Sequence, residues 1–228
     1  MTLKSVYSIF LKHPESAWIM VPENAQELYK LVRNSNITKV LDLGTGIGCS
    51  AAVVALALED KGTPYHIDGI EQYEKCVKLA NEIIPEELKK NLTIHRTNAT
   101  VWSTEKIPYQ YFSIYESLPE VDGKLDYDLI VNDGPAPFKN AEGQYIDLPN
   151  GTIHKATLEG KIKPGTLIVY DGRIVSLTLL EQYFSENFYL AKPALKGGDF
   201  NVIERKDNEL KVGDIKLEGM ELSSYFKD

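Results

Sequence analysis

The stretch VLDLGTGIGCSAAVVALAL, residues 40–58, sets Gly44, Gly46 and Gly48 at alternating positions between an apolar run and an alanine-rich one. Asp42 stands two residues ahead of the first glycine. A strand that turns sharply into a helix has this pattern. Glycine lets the backbone bend and lets a ligand approach where a Cβ would intrude. The helix start beyond it offers unpaired N–H groups to an electron-rich ligand. A tight turn made only for packing would use the same residues, so the loop needs support from the rest of the chain.

Working outward, short apolar runs recur, each followed by a stretch of helical period. KVLDLG (39–44), YHIDGIE (65–71), LTIHR (92–96), YDLIVND (127–133) and TLIVYDG (166–172) read as strands. Their Val, Ile and Leu do not alternate strictly with polar residues, which suits strands buried on both faces of a parallel sheet. Ile47–Leu58, YEKCVKLANEII (73–84) and SLTLLEQYF (176–184) read as helices, the second with Cys76, Ala80 and Ile83 on one face. PENAQELYKLVRNS (22–35) is a further helix, with Pro22 suited to its start. FYLAKPAL (188–195) and FNVIERK (200–206), separated by KGGD, read as an antiparallel pair. Residues 101–125 are rich in tyrosine and show no period, so no element is read there. No linker divides the chain. The expectation is one α/β domain over 1–228, with an N-terminal helical segment (about 1–36) capping the site.

The balance of 33 acidic against 25 Lys and Arg residues gives a net charge of −8, and no basic block stands out, which argues against a nucleic-acid partner. The longest apolar run, Cys49–Leu58, is too short to span a bilayer, and the N-terminus lacks the features of a signal peptide. Cys49 and Cys76 have neither metal-ligand nor redox spacing. They read as small buried hydrophobes, and the expected location is the cytoplasm.

Glu71 ends the second strand about 20 residues beyond the glycine loop, where a carboxylate can accept both hydroxyl protons of a ribose. Dinucleotide enzymes need G-x-G-x-x-G, but here the third glycine comes one position early and Cys49 stands in its place. Asp42 would repel a pyrophosphate and suits a ligand carrying an amino group. The order D-x-G-x-G-x-G therefore favours an aminoacyl nucleoside over NAD.

VLDLGTGIG, GIEQ, TNAT and YDLIVNDGP together resemble the successive cofactor motifs of class I S-adenosylmethionine-dependent methyltransferases, over residues 38–205. The resemblance implies a Rossmann-like, doubly wound sheet of about seven strands, mostly parallel with an antiparallel last strand. It implies S-adenosylmethionine as cofactor, with Gly44, Thr45, Gly46 and Gly48 around its methionine part together with Asp42. Glu71 would hold the ribose, Gln72 would be a further cofactor contact, and Asn98 and Ala99 would contact adenine. Asp133 matches the family position beside the methyl group and the acceptor, and is both the candidate catalytic residue and a cofactor contact.

Asp133 and Asp171 both fall at strand ends, as in metal-dependent O-methyltransferases. Those relatives carry a third ligand where this chain has Gly172, so no metal is expected, and Asp171 is read as pairing with Arg173 or capping a turn. The loop PAPFKNAEGQYIDLPNG (135–151) is long enough to contribute to an acceptor pocket. His154 is a conceivable base, and a solvent-exposed histidine is the favoured reading. Tyr7, Phe10 and Trp18 are read as core packing ahead of a lid. The expected activity is methyl transfer, most simply O-methylation, to a small-molecule acceptor. A non-catalytic nucleoside-binding module and an aminopropyl transferase are the alternatives.

Overall fold

A computed structural model describes residues 1–192 and 200–213. The N-terminal segment contains α1 (Leu3–Leu11), a 3₁₀ turn (Ser16–Trp18) and α2 (Pro22–Arg33). Next come β1 (Lys39–Leu43), α3 (Cys49–Lys61), β2 (His66–Glu71), α4 (Glu74–Ile83), α5 (Glu86–Lys89) and β3 (Leu92–Arg96). A hairpin of β4 (Ala99–Thr104) and β5 (Ile107–Tyr115) precedes β6 (Leu129–Asn132), and a small hairpin of β7 (Phe138–Lys139) and β8 (Tyr145–Ile146) follows it. The chain continues through α6 (Thr152–Leu158), β9 (Leu167–Tyr170), α7 (Ile174–Phe184), β10 (Phe188–Lys192) and β11 (Asn201–Arg205).

Seven strands form the main sheet in the order β10-β11-β9-β6-β1-β2-β3. The β1–β2, β2–β3, β1–β6 and β6–β9 pairs are parallel, while β11 runs antiparallel to both β9 and β10. The expected doubly wound sheet with an antiparallel last strand is the observed one. The KGGD segment (196–199) between β10 and β11 lies outside the described residues.

Side chains leave each strand alternately, which builds one apolar cluster on each face. Val40, Val131, Val169 and Val202 meet α2 and α3 on one side. Leu41, Leu43, Ile130 and Ile168 meet Phe112, Ile153 and Leu180 on the other. Nearly every residue of α3 from Cys49 to Leu58 is buried. A helix apolar on all sides is the kind that lies in a core, so it anchors the glycine loop rigidly. It ends where Gly62, at φ +70°, donates its N–H to Leu58 and Glu59 O, the left-handed cap that glycine favours.

Residues 101–125, where no element is expected, carry most of the β4–β5 hairpin. Trp102 stands opposite Phe112, and Phe112 is fully buried against the face of the sheet. The strand signal was present in the density of Val, Trp, Tyr, Phe and Ile. It was masked because no residue of β4 is buried, four being partly covered and two exposed, so no clean alternation of apolar and polar residues develops.

Candidate active site

Parallel strands open at their carboxyl ends, and there the loops after β1, β2, β3 and β6 converge. Gly44 and Thr45 both donate their N–H to Ile70 O, at 2.9 and 3.1 Å, which ties the glycine loop to the end of β2. Thr45 Oγ1 donates to Asp42 O at 3.0 Å. The three glycines differ in what they admit. A Cβ on Gly44 (φ +90°) would sit 2.6 Å from Gly134 N, and one on Gly48 (φ +96°) 2.6 Å from Ile84 Cδ1. Those two permit close packing of the protein on itself. Gly46 (φ +55°) has nothing nearer than 3.9 Å, so the middle glycine is the one that faces open space.

Around this loop stand carboxylates held in unusual surroundings. Asp42 is fully buried; Oδ2 accepts from Ser50 Oγ at 2.8 Å, and Oδ1 has no partner. Burial pushes its pKa up to about 6. Glu71 accepts from Gly46 N at 2.8 Å and Tyr73 N at 2.7 Å, so its carboxylate bridges the first and second loops. Burial raises its pKa, and those backbone donors oppose the rise. Gln72 donates Nε2 to Ala136 O at 3.1 Å and leaves Oε1 buried without a partner. Asn98 donates Nδ2 to Glu116 Oε2 at 3.0 Å and accepts from Arg96.

Two hollows flank the loop. Gln72, Tyr73, Asn98, Ala99, Phe138 and Tyr145 help line an open one of about 890 Å³. The smaller, about 90 Å³, lies between Gly44, Thr45, Gly46, Cys49, Ser50 and Asp133 on one side and Glu15, Trp18, Ile19 and Met20 on the other. Among the described residues, no lysine, arginine or histidine lines this second hollow.

Asp133 follows β6. Arg173 Nε donates to its Oδ1 at 3.0 Å and to its backbone O at 2.9 Å. Burial pushes the Asp133 pKa up to about 7, Arg173 working against the shift and Asp171 adding to it. Arg173, the expected partner of Asp171, grips Asp133, and one contact of Asp171 is the hydrogen bond it accepts from Asn24 Nδ2 of α2 at 2.7 Å. Gly172 (φ +67°) reverses the chain between these residues, which turns Arg173 back toward the β6 loop.

His154 is neither exposed nor near enough to ionisation to act as a base. It is fully buried between Phe112 and Phe184, neither ring nitrogen has a partner, and desolvation lowers its pKa to about 3. Among the aromatics of the N-terminal segment, Phe10 is buried and Tyr7 donates to Met20 O at 2.8 Å, as packing requires. Trp18 departs from that expectation and is 91% exposed.

Sequence reasoning missed Ser50, Arg173 as the partner of Asp133, and Tyr115. The Tyr115 hydroxyl lies 2.1 Å from where a Cβ on Gly134 would be, so glycine at 134 is what makes room for it. Burial and the nearby Glu71, Asp133 and Asp42 carboxylates push its pKa well above the ordinary value, so it stays a neutral O–H donor. Nothing in the YFSIYES run marks its last tyrosine as special. Only the hairpin topology brings it under the loop.

Among solved structures, an O-methyltransferase from Bacillus cereus in complex with SAH superposes with a TM-score of 0.53 at 16% identity, covering 88% of each chain. SAH-bound PaMTH1, a methyltransferase of Podospora anserina, gives 0.55 at 14%, covering 90% of this chain and 88% of its own. The O-methyltransferase TomG of Streptomyces achromogenes, involved in tomaymycin synthesis and solved with SAM, gives 0.53 at 13%, covering 90% and 89%. At such identities the likeness is one of fold. No curated protein matches the chain. The family model described as protein-L-isoaspartate(D-aspartate) O-methyltransferase matches residues 5–128, more than half of the 228, including the glycine loop, Glu71 and Asn98. The chain belongs to that family of methyltransferases.

Proposed function

We propose that the chain transfers a methyl group from S-adenosylmethionine to an oxygen of a small-molecule acceptor. The observation that carries the cofactor reading is the smaller hollow: Gly46 and Asp133 line it, no cationic side chain does among the described residues, and its Ser50 donates to Asp42, a buried carboxylate whose other oxygen lacks a partner. A ligand with a sulfonium and an ammonium suits such a lining, since a buried carboxylate without a donor is costly until a cation or N–H reaches it. In this reading Asp42, with the turn from Gly44 to Gly48, takes the methionine part, Glu71 and Gln72 the ribose, and Asn98 and Ala99 the adenine. Solved relatives of the same fold that carry SAM or SAH support it. The cofactor supplies an already activated methyl group. What remains for the chain is to align the acceptor, keep water out and hold the nucleophile's proton balance at Asp133.

The acceptor class rests on other grounds. The family match ends at residue 128, before β6, so the acceptor-facing β6 loop, Arg173 and the β7–β8 hairpin lie beyond it. The family's protein acceptor is therefore not carried over. Relatives that match along nearly the whole chain include the tomaymycin-pathway enzyme, which favours a small molecule.

Calorimetry with S-adenosylmethionine is the first test, and binding in the micromolar range with none for NAD is expected. Failure to bind the former, or tight binding of the latter, would overturn the cofactor reading. Methylated product from a panel of hydroxyl and carboxyl acceptors separates an enzyme from a binding module, and decarboxylated cofactor with polyamines tests aminopropyl transfer. Glu71→Ala should weaken S-adenosylmethionine at least about tenfold, as the loss of bonds to a charged group implies.

The raised pKa of Asp42 gives this binding a pH signature. Its carboxylate is the form that meets a cation, so affinity should fall as pH drops through about 6. Because the folded pKa lies above the ordinary one, ionising Asp42 without ligand costs stability as pH rises through the same range. Ligand should therefore raise the melting temperature more at pH 8 than at pH 5. Asp42→Asn should flatten that difference to what Glu71 and Asp133 contribute; an unchanged pH dependence would remove Asp42 from the ligand.

A further inference from the structure

Trp18 stands on the rim of the smaller hollow with 91% of its surface exposed, and the 3₁₀ turn that carries it, Ser16–Trp18, buries no residue. An isolated exposed hydrophobe needs no explanation; one that lines the hollow beside the glycine loop does. The turn is not held by packing. It is clasped on both sides by polar contacts: Glu15 pairs with Lys75 of α4, and Tyr7 donates to Met20 O. Such a segment can pivot between its two clasps without breaking the core beneath it. The hollow it borders, about 90 Å³, is also lined by Met20, Cys49, Cys76 and Asp133. Polarisable groups thus border the space; among the described residues no cation lines it, and its two carboxylates, Glu15 and Asp133, are held from outside the lining by Lys75 and Arg173. An indole face is the strongest aromatic partner for a cation, and desolvation strengthens the contact.

We infer that Trp18 is a positioning residue that closes over the bound cofactor, lays its indole against the sulfonium end, and so distinguishes the charged cofactor from its neutral thioether by-product. This rests on the cofactor reading above. Closure would exclude water from the transferring methyl group, and loss of the positive charge on transfer would weaken the contact and favour release of the by-product.

The chain has two tryptophans, Trp18 and Trp102, so W102F leaves a single reporter. Its emission should be quenched and shifted to shorter wavelength as S-adenosylmethionine saturates the protein, and less so with S-adenosylhomocysteine. By calorimetry, W18L should weaken S-adenosylmethionine about tenfold and S-adenosylhomocysteine no more than about twofold, with W18F in between. Because Trp18 is so exposed, W18L should melt as the wild type does, which separates lost contact from lost fold. An emission unmoved by either ligand, or equal affinities of W18L and wild type, would overturn the inference while leaving the cofactor assigned. Equal weakening of both ligands would overturn the charge discrimination. A wild type that binds neither ligand would instead bring down the cofactor reading itself.

Discussion

Gly46→Val should abolish measurable S-adenosylmethionine binding while the protein stays folded, and Gly44→Ala should instead destabilise the fold. The two positions lie in one loop and differ in what surrounds them. A side chain at Gly46 meets nothing within 3.9 Å, so the protein can accommodate it, but the space it enters is the space proposed for the ligand. Its φ of +55° costs an L-residue roughly 1–2 kcal/mol, a tolerable loss for a domain of this size. At Gly44 the added Cβ would press on the backbone of Asp133 and Gly134, at 2.8 and 2.6 Å, and neither is a flexible side-chain end. Overpacking of about 1–3 kcal/mol then adds to the strain of a φ of +90°. At about 2–4 °C per kcal/mol for a chain of this length, a fall in melting temperature on the order of 10 °C is expected. Thermal melts and calorimetry on both variants decide the matter. Undiminished affinity in Gly46→Val would remove the cofactor from this loop, and a Gly44→Ala protein as stable as wild type would contradict the packing role.

The contrast between these glycines also marks how far the sequence could be read. The strand–turn–helix at residues 40–58 was legible because glycine spacing and an unbroken apolar helix are local signals, and so were the parallel strands with their Val, Ile and Leu runs. Which glycine faces open space was not legible, because it depends on Gly134 and Ile84, far away in the chain. The same holds for Arg173. From sequence its neighbour Asp171 is the natural partner, but Gly172 turns the chain so that the guanidinium reaches Asp133, and Asp171 accepts a hydrogen bond from Asn24 of α2. His154 failed for a related reason: a histidine at the start of a helix reads as polar, and the distant β4–β5 hairpin and α7, with Phe112 and Phe184 against its ring, enclose it. Long-range partners decided each of these cases, and the local pattern carried none of them.

Asp133→Asn should keep near-normal cofactor affinity but lose about 10²-fold or more in turnover, the usual scale for a positioned acid or base. Geometry supports the separation. Gln72 and Asn98 line the larger hollow, while Asp133 borders the smaller one at the end of β6, where the acceptor would meet the methyl group. Arg173 fixes the Asp133 carboxylate through Oδ1 and the backbone O, which leaves Oδ2 to take a proton from the nucleophile or to orient it. A pKa pushed up to about 7 by burial makes that oxygen a better base than an ordinary aspartate and still ionised in part near neutrality. The pH dependence follows with a definite sign. The carboxylate is the working form, so kcat should rise as pH increases through about 7 and level off above it. Asp133→Asn should remove that rise along with the rate, because an amide does not titrate. Arg173→Lys offers a graded version: it keeps a cation near Asp133 but loses the forked contact, so the inflection should move and kcat should fall less than in Asp133→Asn. An interaction made mainly in the transition state lowers kcat and kcat/KM together. A variant in which only KM rises would make Asp133 a binding group. Full activity in Asp133→Asn would confine the residue to shaping the turn before Gly134, a task that asparagine performs equally well.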